Sequence, residues 1–237
     1  MRLDQALVRR NLYSTRARAV AAIKAGLVTV NGAPAKKPSQ DVQDEDVLIG
    51  GALPYSSGRG SLKLSYALKY FNVNPENMVC LDVGASTGGF TEVLLNNGAA
   101  RVYAVDVGTN QLIPELRENS RVVSLEQTDI RALPVQSMVD LIVIDVSFVS
   151  LTNIVGCLGA WGAKKVIALI KPQFEVSSGV AAKYNGVIKS QLLHDEAVAR
   201  VVNAFEGCGF RLCGITESPV KGGSGNTEFL SCFQVEK

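Results

Sequence analysis

Seven apolar runs of strand length follow one another through the last two thirds of the chain: MVCLDV, RVYAVDV, RVVSLE, VDLIVIDV, KKVIALIK, FRLCGITESPV and EFLSCFQV. Helical patterns lie between most of them, such as SQLLHDEAVARVVNAFEGCG before the sixth, and KLSYALKYF precedes the first. Strands that are apolar along nearly their whole length must be buried on both faces, which a parallel sheet flanked by helices provides. The last two runs are joined across KGGSGNT, too short for a crossover helix, so they are expected to pair antiparallel at one edge. The expected fold is therefore α/β and Rossmann-like, with seven mostly parallel strands and the last one antiparallel.

The first 50 residues have a different character. Leu3, Leu7, Val8 and Leu12 sit at helical spacing over 2–12. Ser14 or Thr15 is placed to cap a second helix, TRARAVAAIKAG, which stops at Gly26. LVTVNGAPA then alternates into Asn31-Gly32, a two-residue hairpin signal, and DVQDEDVLI reads as one more strand. Residues 1–38 hold eight Lys/Arg against one acid, a charge of +7, while the other 16 bases and 21 acids give −5. A basic head on a mildly acidic body points to a polyanion-binding module attached to a second function.

The pattern RLDQAL…STRARAVAAIKAGLVTVNG resembles the S4 RNA-binding domain. That resemblance implies a small α+β head that holds structured RNA, with Arg2, Arg16, Arg18 and Lys24 facing phosphate. GGALPYSSGRGS is the Gly/Ser/Pro-rich stretch between the two patterned regions. The expected organisation is a head over 1–50, a linker over 51–60 and a larger domain over 61–237.

No apolar run approaches the roughly 20 residues needed to span a bilayer, and MRLDQALVRR lacks a signal-peptide core. A soluble cytoplasmic protein is expected. The five cysteines form no C-x-x-C pair and read as buried reduced thiols, with His194 the single histidine, so no metal site is expected. Trp161 reads as core, and His194 as a surface or capping residue.

The first strand runs into Asp82-Val83-Gly84-Ala85-Ser86-Thr87-Gly88-Gly89-Phe90, a glycine-rich turn opening a helix. No Gly-Lys-Ser/Thr follows, and the spacing is a loose G-x-x-x-G rather than G-x-G-x-x-G. A carboxylate at the turn suits a ligand with an ammonium group, such as the methionine part of S-adenosylmethionine, better than it suits a pyrophosphate. Asp106 ends the second strand, where an acid can accept from ribose hydroxyls. Asp129 follows the third, at the position of an adenine amino group, and Asp145 ends the fourth. Acids at successive strand ends line one crevice.

Four charged residues remain to be explained. RGSLKL puts Lys63 just before the first strand, Asp145 stands in IDVSFVSL, Lys171 closes the fifth strand in ALIKPQFEV, and Glu228 opens the last in GNTEFL. Lysine is rarely buried unpaired, so two lysines and two acids converging on one crevice would satisfy each other. Their order resembles the K-D-K-E tetrad of FtsJ-like ribose 2′-O-methyltransferases. With the head, DVGASTGGFT, DVSFVSL, LIKPQFE and GNTEFL, the chain resembles the TlyA family, long called haemolysins.

The resemblance implies a class I methyltransferase that uses S-adenosylmethionine to methylate ribose hydroxyls, with cytidines of small- and large-subunit ribosomal RNA as targets. A free lysine is protonated at neutral pH. A neighbouring Lys63 charge and partial burial are expected to ease the proton off Lys171, letting it take or steer the 2′-hydroxyl proton. Asp145 would orient Lys171 and the donor, and Glu228 would hold the lysines and the ribose. No metal is needed, because the leaving group becomes a neutral thioether. The partner is ribosomal RNA or ribosomal subunits, with no membrane and no DNA, and the chain is expected to be a monomer. AAKYNGVIKS replaces the glycine-rich basic loop usual after FEV, and Lys183 and Lys189 keep part of its charge, Lys183 as an RNA contact. The rival readings are a membrane-active haemolysin and an RNA-binding protein with an inactive methyltransferase domain.

Overall fold

The computed structural model describes residues 1–10, 12–13, 16–50 and 59–235. The chain divides into two compact units, Met1–Pro54 and Tyr55–Lys237.

The first unit packs helices α1 (Leu3–Arg9) and α2 (Arg16–Lys24) on an antiparallel sheet of β1 (Val28–Val30), β2 (Ala33–Pro34) and β3 (Leu48–Gly50), in the order β2-β1-β3. Leu3, Ala6, Leu7, Ala19, Ala22, Ile23, Val28, Val30 and Val42 form its core. Asn31 and Gly32 have φ of 51° and 80°, the paired left-handed residues a tight β1–β2 turn requires. Two elements are shorter than their patterns. Helix α1 ends at Arg9, before Leu12. Of the run DVQDEDVLI only Leu48 and Ile49 belong to the strand, which ends at Gly50, because Asp46 turns back onto the Gln43 amide (2.8 Å) and Arg10 binds the Gln43 and Asp44 carbonyls. The expected cap at Ser14 or Thr15 lies outside the described residues.

In the second unit, α3 (Arg59–Tyr70) precedes β4 (Val79–Val83), α4 (Gly89–Asn96), β5 (Arg101–Val105), α5 (Pro114–Arg117), β6 (Val122–Leu125) and β7 (Leu141–Ile144). Then come α6 (Val155–Leu158), β8 (Lys165–Ile170), α7 (Pro172–Glu175), α8 (Ser178–Lys183), α9 (Gln191–Gly207), β9 (Phe210–Glu217) and β10 (Phe229–Val235). The sheet order is β6-β5-β4-β7-β8-β10-β9, with neighbours parallel from β6 to β8 and β10 antiparallel to both its neighbours. The seven strands are those of the sequence pattern. The final hairpin is arranged differently from a simple edge pair: β10 sits inside the sheet and β9 takes the edge.

Alternate residues of each central strand enter opposite layers. Leu141 and Val143 join Leu64, Leu68 and Leu94 under α3 and α4, while Ile142 and Ile144 join Trp161, Val201 and Phe205 under α9. Lys63 lies within α3, the helix of the KLSYALKYF pattern, whose buried face is made by Leu64, Ala67 and Leu68. Arg59 and Gly60, read as linker, begin the helix, and 51–58 lie outside the described residues. His194 is buried, with Nε2 donating to the Ile188 carbonyl at 3.0 Å. Cys208 and Cys213 are exposed, contrary to the expectation of buried thiols.

Candidate active site

The strand order reverses between β4 and β7, and a crevice of about 560 Å³ opens at the carboxyl ends of β4, β5 and β7. Its wall includes Gly84, Ser86, Asp106, Gln111, Asp129 and Asp145. Gly84 is required there: its φ is +85°, and an added Cβ would lie 2.6 Å from the Asp145 carbonyl oxygen. Gly88 has φ +100°, and a Cβ there would collide with Leu116. It packs inward and does not line the crevice. A second cavity of about 280 Å³ is lined by Arg59, Gly60, Gly84, Ala85, Ser86, Thr87, Gly89, Phe90, Asp145, Ser147 and Lys171.

The acids behave differently from one another. Asp106 accepts from the Ser86 amide (2.8 Å) and the Gly108 amide (2.7 Å), which fixes its carboxylate in the crevice with a lone pair spare on each oxygen. Asp129 lines the crevice too, but its carboxylate is held by Arg131 through Nε (2.9 Å) and Nη2 (2.5 Å), which pulls it down to about 2. Asp82 lies beneath the turn. It is fully buried, Oδ2 accepts from Thr91 Oγ1 at 2.6 Å, and Oδ1 has no partner among the described residues. Burial pushes this carboxyl up to about 7, against the Thr91 hydrogen bond. Glu126, which the sequence did not single out, accepts from the amides of Asn110, Gln111 and Leu112 and so shapes the turn bearing Gln111.

The four charged residues form two ion pairs. Lys171 Nζ lies 2.7 Å from Asp145 Oδ1 and donates to Ser147 Oγ at 2.8 Å. Lys63 Nζ lies 2.5 Å from Glu228 Oε2, with both side chains buried. The sheet register explains the convergence, since Phe229 pairs with Ile170 and Glu228 and Lys171 are each one residue beyond. Each lysine thus has its own carboxylate, where the sequence reading set Lys171 directly against Lys63.

Beside Glu126, three more residues carried no signal of their own that singled them out in the sequence. Arg59 lines the smaller cavity and Ser147 binds Lys171. Phe148 is 90% exposed with φ +65°, and its ring centroid is 5.1 Å from that of Phe174. Proximity to Asp145 was the available signal for the last two. Among the expected RNA contacts, Arg2 and Arg16 meet at Asp4, Lys24 and Lys183 are exposed, and the Arg18 side chain lies outside the description.

A doubly wound seven-stranded sheet, a glycine turn at its switch point and acids at successive strand ends define a class I methyltransferase. The buried Asp82 carboxyl and the Asp106 and Asp145 carboxylates suit a ligand that carries a cation and a ribose. A family model for FtsJ-like methyltransferases matches residues 56–235, and one for the S4 domain matches 1–48. Hemolysin A of Brachyspira hyodysenteriae is 38% identical over 98% of this chain and 99% of its own length. The 16S/23S rRNA (cytidine-2′-O)-methyltransferase TlyA of Mycobacterium tuberculosis is 40% identical over 97% of this chain and 88% of its own length. A solved structure from Streptococcus thermophilus that carries the hemolysin designation is 38% identical, covers 100% of this chain and 89% of its own, and superposes with a TM-score of 0.73. The chain belongs to the TlyA family, an S4 domain joined to an FtsJ-like methyltransferase. Its cofactor is S-adenosylmethionine.

Proposed function

We propose that this chain transfers a methyl group to the 2′-hydroxyl of cytidine in ribosomal RNA, acting in the cytoplasm on ribosomal subunits or their RNA. The observation that carries the reading is the Lys171–Asp145 pair at the join of the two cavities, with the buried Lys63–Glu228 pair at the adjoining strand end.

Bound in the larger crevice, S-adenosylmethionine supplies an electrophilic methyl group on a sulfonium whose sulfur departs as a neutral thioether. Asp106 would hold the ribose of that cofactor, and Asp145 would favour its positive charge. As the 2′-oxygen of the RNA took the methyl carbon, its O–H bond would break, with Lys171 Nζ accepting that proton as it passed one of its own to the Asp145 carboxylate, 2.7 Å away. Ser147 keeps Lys171 Nζ in place, and the Glu228–Lys63 pair fixes the far side of the ribose site. Phe148 holds a sparsely populated backbone conformation for an aromatic residue, a kind of strain that clusters at ligand sites. Its exposed ring offers a stacking face to the target base.

The test is tritiated methyl transfer to isolated ribosomal subunits, wild type beside Lys171→Ala. Radioactivity in 2′-O-methyl dinucleotides that drops on the order of a thousandfold in the variant supports the reading. Equal transfer by both proteins would sink the proton-transfer role. Membrane activity is the second reading, because a relative carries the hemolysin name. No helix among the described residues is long and apolar enough to cross a membrane. Dye leakage from liposomes at physiological salt would revive that reading.

A further inference from the structure

The first unit contains a device that neither its basic charge nor the methyltransferase reading explains. Asp4, the only acid in residues 1–38, is 1% exposed in its side chain and lies between two arginines from different helix starts. Arg2 donates to it through Nε (3.1 Å, to Oδ1) and Nη2 (3.0 Å, to Oδ2), and Arg16 donates through Nε (2.9 Å, to Oδ2). The arginine side chains remain 42% and 56% exposed. The Arg2 backbone is held as well, by a bridge to Asp41. These bonds use the inner edge of each guanidinium. Nη1 of Arg2 and both Nη atoms of Arg16 keep donors that no described residue takes.

We propose that Asp4 is a positioning residue that holds Arg2 and Arg16 as one pre-ordered fork for the phosphates of an RNA strand. This rests on reading the first unit as RNA-binding. An arginine loses considerable rotamer freedom when it is fixed on a ligand. Two arginines already fixed lose little more on binding, so their donors engage phosphate at a smaller entropic cost. The carboxylate is held down at about 2 by the Arg2 and Arg16 hydrogen bonds, so the fork persists across the physiological pH range.

The prediction has a counterintuitive sign. Asp4→Asn removes a negative charge from a polyanion-binding surface, and simple charge counting says that RNA affinity should rise. The fork predicts a fall of about tenfold, from the freed side chains. The experiment measures binding of the full chain to purified small- and large-subunit ribosomal RNA by filter retention at physiological salt. It uses wild type, Asp4→Asn, Arg2→Ala/Arg16→Ala and the triple variant, with unfolding midpoints recorded for each. Weaker binding by Asp4→Asn in the wild-type background, and no further loss in the double-alanine background, supports the fork. Equal losses in both backgrounds would mean that Asp4 acts through the stability of the unit alone, and would overturn it. Binding by Asp4→Asn as tight as wild type, or tighter, would overturn it also. A second arm keeps the core untouched: Arg2→Lys/Arg16→Lys preserves charge but lacks the planar fork, and is expected to bind several-fold more weakly. Unchanged binding in that variant refutes a fork geometry. If wild type binds no RNA but still transfers methyl groups, the RNA-binding reading of this unit falls and takes the fork with it. The transferase reading would stand.

Discussion

At Asp82, one carboxyl lies fully buried beneath the glycine turn without lining the crevice. Its folded value of about 7 stands above the 3.8 of an open chain. The folded protein therefore keeps a proton that the unfolded chain releases between those values. Stability from this group is fully present below about pH 4 and is lost as pH rises through 7, by roughly 4 kcal/mol at most. Asp82→Asn has no proton to lose. Its stability relative to wild type should grow with pH from 4 to 7 and level off above, as measured by denaturant unfolding at several pH values. A constant difference across that range would show that Asp82 is not buried as described. The same proton bears on cofactor binding, since a cation in the crevice favours the ionised carboxylate.

Among the elements, the segment between α8 and α9 is the clearest case of one piece of chain setting another. The Asn226 side chain, buried two residues before Glu228, accepts from the Ile188 amide (2.9 Å) and donates to the Gly186 carbonyl (2.8 Å). That pins the stretch between the two exposed lysines, Lys183 and Lys189, against the hairpin carrying Glu228. Asn226→Ala should cost about 1–3 kcal/mol locally. Trypsin should then cut at Lys183 and Lys189 many times faster, with a small change in global unfolding midpoint. An unaltered digestion pattern would show that the segment is held by other contacts. Little of this was legible in the chain. The seven strands were, because burial on both faces leaves an unbroken apolar run that needs no partner to be recognised. Lys171, Asp145 and Glu228 stood out for the related reason that a charge ending such a run needs an explanation. Pairing is a property of tertiary register, so the division into Lys171–Asp145 and Lys63–Glu228 carries no local mark. The start of α3 was hidden by Gly60 and Ser61, whose types favour loops. The left-handed Phe148 was hidden because nothing in the residue type announces it.

Across the whole molecule, charge is segregated, with +7 in residues 1–38 and −5 in the remainder. RNA binding and cofactor binding should therefore respond to salt in different ways. Phosphate contacts release counterions, so the logarithm of RNA affinity should fall steeply with the logarithm of salt, with a slope no steeper than about −7 for a head of eight bases. Cofactor affinity, set by a few groups within a crevice, should change little over the same range. Filter retention and calorimetry between low and high salt would check both. Parallel slopes would refute a division of labour between the two units.

Strand β10 has a consequence for how the protein comes into being. It follows β9 in the chain, yet it lies between β8 and β9, and among the described residues β9 pairs with no other strand of the sheet. During synthesis β4 to β8 can associate in parallel as they emerge, while β9 waits as an orphan and the edge of β8 stays open. The insertion that closes the sheet also brings Glu228 to Lys63. The Lys63–Glu228 pair therefore forms only once β10 has been made and has entered the sheet, so a part-made second unit still lacks one of the two ion pairs proposed above to act on RNA.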